Sequence, residues 1–127
     1  MGAAQTITIA KDLGSGVSAT GTVYLIHAQP GEWELKSAYF LPDEATAASG
    51  SNLFTIQLKQ GSDAVSAALT SNAGSGFVAG TAQAMTLSAA GPALEFGPED
   101  EMSIVMTETG TATMGGDLYV TFQKARV

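Results

Sequence analysis

At 127 residues with 45% hydrophobic side chains, the chain is long enough to fill one core and too short for a second independent one. Twelve acidic against five basic residues leave a formal net charge of −7, whose field repels phosphate backbones and anionic lipid, so nucleic acid and membrane are excluded as expected partners. The absence of cysteine excludes disulfides, thiol nucleophiles and thiolate metal sites, while 15 glycines and only 13% charged residues favour short strands and turns over helices, which need a charged outer face.

Along the chain the leading signal is period-two alternation, which sends successive side chains to opposite faces of a strand. Residues 1–5 carry no basic segment followed by an apolar run, which implies a soluble product made in the cytoplasm. Ile7 and Ile9 alternate with Thr6 and Thr8, and the Gly/Ser-rich stretch 14–21 follows. Residues 1–21 therefore read either as a mobile N-terminal arm or as an edge strand with a flexible loop. The segment 22–28 (TVYLIHA) is apolar on both faces, which places it centrally in a sheet or under a subunit contact.

From Glu32 to Leu41, Trp33, Leu35, Tyr39 and Leu41 share one parity and Glu32, Glu34 and Lys36 the other, predicting a strand with one dry face. Residues 42–48 (PDEATAA) have the Pro and early acidic residues of a short helix. Phe54, Ile56 and Leu58, then Val65, Ala67 and Leu69, predict a hairpin about Gly61-Ser62-Asp63. Met85 and Leu87, then Met102, Ile104 and Met106, and finally Leu118, Val120 and Phe122 repeat the pattern. With turn clusters between them, these elements predict a single all-β domain over residues 1–127, an antiparallel β-sandwich of jelly-roll type with about eight strands.

Few residues offer chemistry. His27 is the single histidine and shares parity with Val23 and Leu25, so it reads as a core or interface imidazole with no serine or threonine nucleophile assigned to it. No Gly-x-Ser-x-Gly elbow, phosphate-cradling loop or metalloprotease motif is present, and neither catalytic residue, cofactor nor small-molecule substrate is expected. The densest acidic cluster, Glu99-Asp100-Glu101 with Glu95 nearby, offers oxygen ligands to calcium or is simply a solvated loop; it lacks the Asp-x-Asp-x-Asp-Gly spacing. Trp33 shares a face with Leu35, which makes it a core anchor; exposed, it would be the stacking platform of a carbohydrate-binding module or lectin-like sandwich. Tyr24, Ile26 and His27 in the doubly apolar segment, Tyr119 on the face opposite Leu118, and Met114 at a turn are the candidate subunit or partner contacts. For the tyrosines, ordinary cross-strand pairing is the alternative.

The strand around Pro30-Gly31-Glu32-Trp33-Glu34-Leu35, the hairpin from Phe54 to Leu69, and Leu94-Glu95-Phe96-Gly97-Pro98-Glu99-Asp100 leading into 102–107 together resemble the small jelly-roll proteins of tailed-phage virions. The stretch 96–105 is similar to the Gly-Asp element that precedes an alternating strand in trimeric jelly rolls, although Pro98-Glu99-Asp100-Glu101 stands where Pro-Gly-Asp is usual. The resemblance implies a non-enzymatic capsid decoration or head-fibre protein on the virion surface, with itself as a homotrimer and the major capsid protein as partners.

Overall fold

A computed structural model describes residues 5–17, 20–26, 32–72, 76–88, 94–97 and 100–124, with the backbone alone at 23–26. The described strands are β1 (Thr6–Asp12), β2 (Gly21–Ile26), β3 (Trp33–Pro42), β4 (Leu53–Gln60), β5 (Asp63–Ala64), β6 (Leu69–Thr70), β7 (Gln83–Ala84), β8 (Glu95–Phe96), β9 (Met102–Thr109) and β10 (Gly116–Lys124). They form two antiparallel sheets: β1-β10-β3-β7, with β8 also on β3, and β2-β9-β4-β5, with β6 also on β4. Counting β5 with β6, and β7 with β8, as interrupted strands gives two four-membered sheets. The chain passes between them at most connections, which is the jelly-roll topology that the alternation predicts.

The interior is what period two anticipates. Phe54, Ile56 and Leu58 from β4, Met102, Ile104 and Met106 from β9, and Leu118, Val120 and Phe122 from β10 are all buried. Ile7 and Ile9 of β1 pack on this core from the margin, opposite Phe122 and Val120. Phe96 meets Phe122, and Phe40 meets Phe77, edge to face at 5.5 and 5.2 Å between centroids, an arrangement that suits the ring quadrupoles. Val65 is buried, whereas Ala67 is exposed and Leu69 only half-buried. The hairpin turns at Gly61, whose φ of 61° supplies the left-handed conformation that a two-residue connection needs.

Three expectations are corrected. In β3 the register with β10 slips beside Thr121/Phe122, where Ser37 opposes Thr121 and Leu35 opposes Phe122, leaving Lys36 as an extra residue. This β-bulge re-phases the strand. Trp33 and Leu35 remain inward, Ala38 and Phe40 join them, and Tyr39 turns outward at 38% exposure, with Leu41 on the same outer parity. The helix expected at 42–48 does not form, because tertiary hydrogen bonds claim its backbone. Thr46 N–H donates to Phe77 O and Phe77 N–H to Thr46 O, at 2.8 and 2.9 Å, while Thr46 Oγ1 donates to Thr113 O at 2.6 Å.

The strand β2 is not central: among the described residues it pairs only with β9, at the margin of its sheet. Within residues 1–21, all of Thr6–Asp12 pairs with β10. Lastly, the β4 margin, where β5 and β6 part, is closed by two buried serines. Leu58 N–H donates to Ser66 Oγ at 3.0 Å and Phe54 N–H to Ser71 Oγ at 2.9 Å, so backbone donors in the dry region are satisfied by side chains.

Phe54→Ala empties the centre of this interior and is expected to cost about 3–5 kcal/mol, whereas Thr107→Ala on the outer face of β9 should stay within about 0.5 kcal/mol. Urea unfolding followed by tryptophan fluorescence measures both.

Candidate functional site

The sandwich offers two outer faces and two ends. On the outer face of β2-β9-β4, an open groove of about 790 Å³ runs between Lys59 and Gln60 on one side and Asp100 and Glu101 on the other, floored by Ser103 and Val105. Its floor follows from register, since Val105 lies opposite Thr22 and Gln57, and Ser103 opposite Tyr24 and Lys59. Its walls carry charges of both signs. No described serine or threonine here is hydrogen-bonded to an imidazole or carboxylate as a nucleophile would be.

Asp100, the described centre of the acidic loop, is engaged locally. Its Oδ2 accepts the Gly97 N–H at 2.7 Å and its own N–H donates to Gly97 O at 3.2 Å, a tight turn leading into β9. Glu99 lies outside the described residues. Among the described residues no three acidic or histidine side chains converge as a cation site would require.

The outer face of β1-β10-β3-β7 is different in kind. Register places Ala10, Tyr119, Tyr39 and Ala84 in one row across four strands. The two tyrosine rings stack on each other with centroids 5.0 Å apart and planes 15° from parallel. The pair forms a ridge between two alanines, with Tyr39 exposed and Tyr119 half-buried. The next row holds Thr8, Thr121 and Ser37, all short, with Thr8 Oγ1 and Thr121 Oγ1 2.9 Å apart in a hydrogen bond. On the ridge's other side Asp12 lies opposite Asp117.

That last row opens onto an acidic end of the sandwich. Asp12 Oδ1 accepts the Gly14 N–H, Asp43 Oδ2 accepts the Ser15 hydroxyl, and Glu44 Oε1 accepts the Gly16 N–H, at 2.8, 3.0 and 2.9 Å. These carboxylates cap the 13–17 loop and hold it against the 43–44 turn. Gly115 and Gly116 let the crossing be close, because a Cβ on Gly116, whose φ is 146°, would run into Leu41 O.

The anticipated contact residues are thus scattered. Tyr119 lies on the ridge, with a partner, Tyr39, that period two alone had assigned to the interior. The sequence signal for it was the consecutive polar pair Lys36-Ser37, which marks the bulge. Tyr24 and Ile26 belong to β2, on the other sheet, where only their backbone is described. His27 lies outside the described residues. Met114 is not a loop-tip contact: its side chain is 0% exposed, because backbone hydrogen bonds with Val17 in both directions draw it beneath the 13–17 loop. Trp33 is 8% exposed, with the Lys124 ammonium 6.0 Å from its ring centroid, and so offers no sugar-stacking face. The tyrosine pair spends one face of each ring on the other and lies on the opposite sheet from the polar groove, the cross-strand pairing weighed for Tyr119.

No family model and no curated protein matches the chain. Solved structures do. A chain of the cyanophage Pam1 capsid asymmetric unit superimposes with a TM-score of 0.52 at 11% identity, over 96% of this chain and 85% of that one. What they share is the fold. Chains from infectious bursal disease virus, Gx and Gt strains, align at TM-scores of 0.39 and 0.38 with 18% and 15% identity, over 93% of this chain and 32% of each of theirs.

Met114→Ala is expected to lower unfolding free energy by about 2–5 kcal/mol through the cavity it leaves, without changing the oligomeric state of the folded protein. Chemical denaturation together with light scattering separates these effects.

Proposed function

We propose that this chain is a virion structural protein that decorates an assembled capsid. Several copies, three in the simplest case, associate and seat on the major capsid protein after synthesis in the host cytoplasm. The observation that carries the reading is the β-sandwich fold, which superimposes over 96% of this chain on a chain of the cyanophage Pam1 capsid asymmetric unit. Burial and charge give it a physical basis. A sandwich whose interior is already filled works through its surfaces, by burying area between subunits and so tying them together. Repetition on a symmetric shell raises the effective concentration of each further contact, so a weak single contact still yields high occupancy. A net charge of −7 favours a basic protein surface over packaged nucleic acid.

Purified chain mixed with capsids of its own virus that lack it is expected to co-sediment to saturation. Electron microscopy should then show added density of sandwich size at repeated lattice positions. Absence of co-sedimentation at every concentration, together with a strictly monomeric chain, would remove this reading.

A further inference from the structure

We propose that the groove on the outer face of β2-β9-β4 continues over one end of the sandwich as a docking channel for an extended, lysine- or arginine-bearing segment of a partner protein. The inference deepens the capsid reading, on which it rests for the source of the segment; its chemistry comes from the channel itself.

The channel is longer than one face. The groove of about 790 Å³ is bounded at one end by Gln60 and Asp100, and a second hollow of about 330 Å³ shares these two residues and reaches Glu95, Glu32 and Trp33 of the other sheet. From Val105 back to Asp100 alone the walls follow about 16 Å of extended chain, a shape that matches a strand-like segment. They are held without any partner. Gln60 Nε2 donates to Glu95 O at 2.6 Å, tying the end of β4 to β8 across the two sheets, and Asp100 Oδ2 accepts the Gly97 N–H at 2.7 Å.

The charge of the channel is one-sided. Four exposed carboxylates, Glu32, Glu95, Asp100 and Glu101, line the two hollows against one ammonium, that of Lys59. The charges beside it cancel: Lys124 over the Trp33 ring is offset by Asp63 opposite Gln60, and Lys36 is paired to Glu34. Four against one leaves a surplus of three negative charges among the described residues, out of −7 for the whole chain. No three described acidic groups converge on one point, so the spacing suits cations carried at intervals along a chain and not a single metal ion.

The floor supplies an independent observation. Ser103 takes the outward position between the inward Met102 and Ile104 and lines the groove, yet it is only 7% exposed. Thr46, Ser66 and Ser71, buried to the same degree, are all hydrogen-bonded through their hydroxyls. No described group bonds the hydroxyl of Ser103. A buried hydroxyl left without a partner is costly, and here the open side from which a partner can come is the groove. The occupant therefore bonds Ser103 through an amide or carbonyl on the outer face and sets its cations farther along, from Asp100 and Glu101 to Glu95 and Glu32.

Fluorescence anisotropy of the full chain with a labelled peptide of alternating alanine and lysine, long enough to span the channel, tests the inference apart from any capsid. Binding is expected to saturate at low salt and to weaken as salt rises. Glu95→Gln together with Glu101→Gln should weaken it about tenfold or more, whereas Glu108→Gln with Asp117→Asn, an equal charge change outside the channel, should alter it less than about threefold. Ser103→Ala should weaken the peptide about threefold or more while leaving chemical denaturation unchanged or shifted to higher denaturant, because the free chain has no hydrogen bond there to lose. A serine that serves only the fold would give the reverse. Absence of saturable binding, equal loss from the two pairs of substitutions, or displacement by spermine as readily as by unlabelled peptide overturns the proposal, the last because the site would then take any small cation. Capsid co-sedimentation distinguishes the two readings. A channel variant that loses both peptide and capsid supports both. Wild-type chain that seats on capsids without binding the peptide overturns the channel alone and leaves decoration standing.

Discussion

The structure depends on one constraint: the described strands must pair within each sheet while their inward apolar side chains enter a single dry layer between the two. Hydrogen-bond register and hydrophobic phase have to agree on each strand, since a slip of one residue exchanges the faces. Along β4, β9 and β10 the two agree without adjustment. In β3 they do not, because Trp33 and Leu35 are out of phase with Ala38 and Phe40, and the strand reconciles them by absorbing Lys36 as a bulge. Surface and interior are therefore set by one local event, which places Phe40 against Phe77 inside and Tyr39 against Tyr119 outside.

What could be read from the sequence follows from how local the determining interaction is. Phe54, Ile56 and Leu58 alternate without interruption between turn residues, so sequence order alone places them in the core, and the all-β class follows from several such runs. Met114, Thr46 and Ser66 were opaque for the opposite reason. Their positions are decided by partners distant in the chain: Val17 for Met114, Phe77 and Thr113 for Thr46, and the Leu58 N–H for Ser66. The residues 42–48 show the competition most directly. A local pattern fit for a helix yields to hydrogen bonds between Thr46 and two partners distant in the chain, Phe77 and Thr113. Tyr119 was legible as a surface residue because β10 is regular; Tyr39 was not, because its strand is bulged.

The distribution of polar groups separates the two faces by capability. On β2-β9-β4 the groove mixes Lys59 with Asp100 and Glu101 around a serine floor. On β1-β10-β3-β7 the centre is uncharged, with Asp12 and Asp117 beyond it at one end and Lys36 paired to Glu34 at the other. Carboxylates at the acidic end also serve the fold, since Asp12, Asp43 and Glu44 accept hydrogen bonds from the 13–17 loop. Their negative charge is therefore part of what shapes that end, and a neighbour approaching there has to bring donors or cations.

The margins of the tyrosine-bearing sheet have a further consequence. At one side, β3 is flanked only by the two-residue segments β7 and β8, between which the chain departs, so no continuous row of amide and carbonyl groups is on offer. At the other, β1 is long and regular, but Lys11 occupies the inward position opposite Leu118, where an added ribbon would have to bury an ammonium ion. Sideways growth into fibrils is thereby resisted at both flanks.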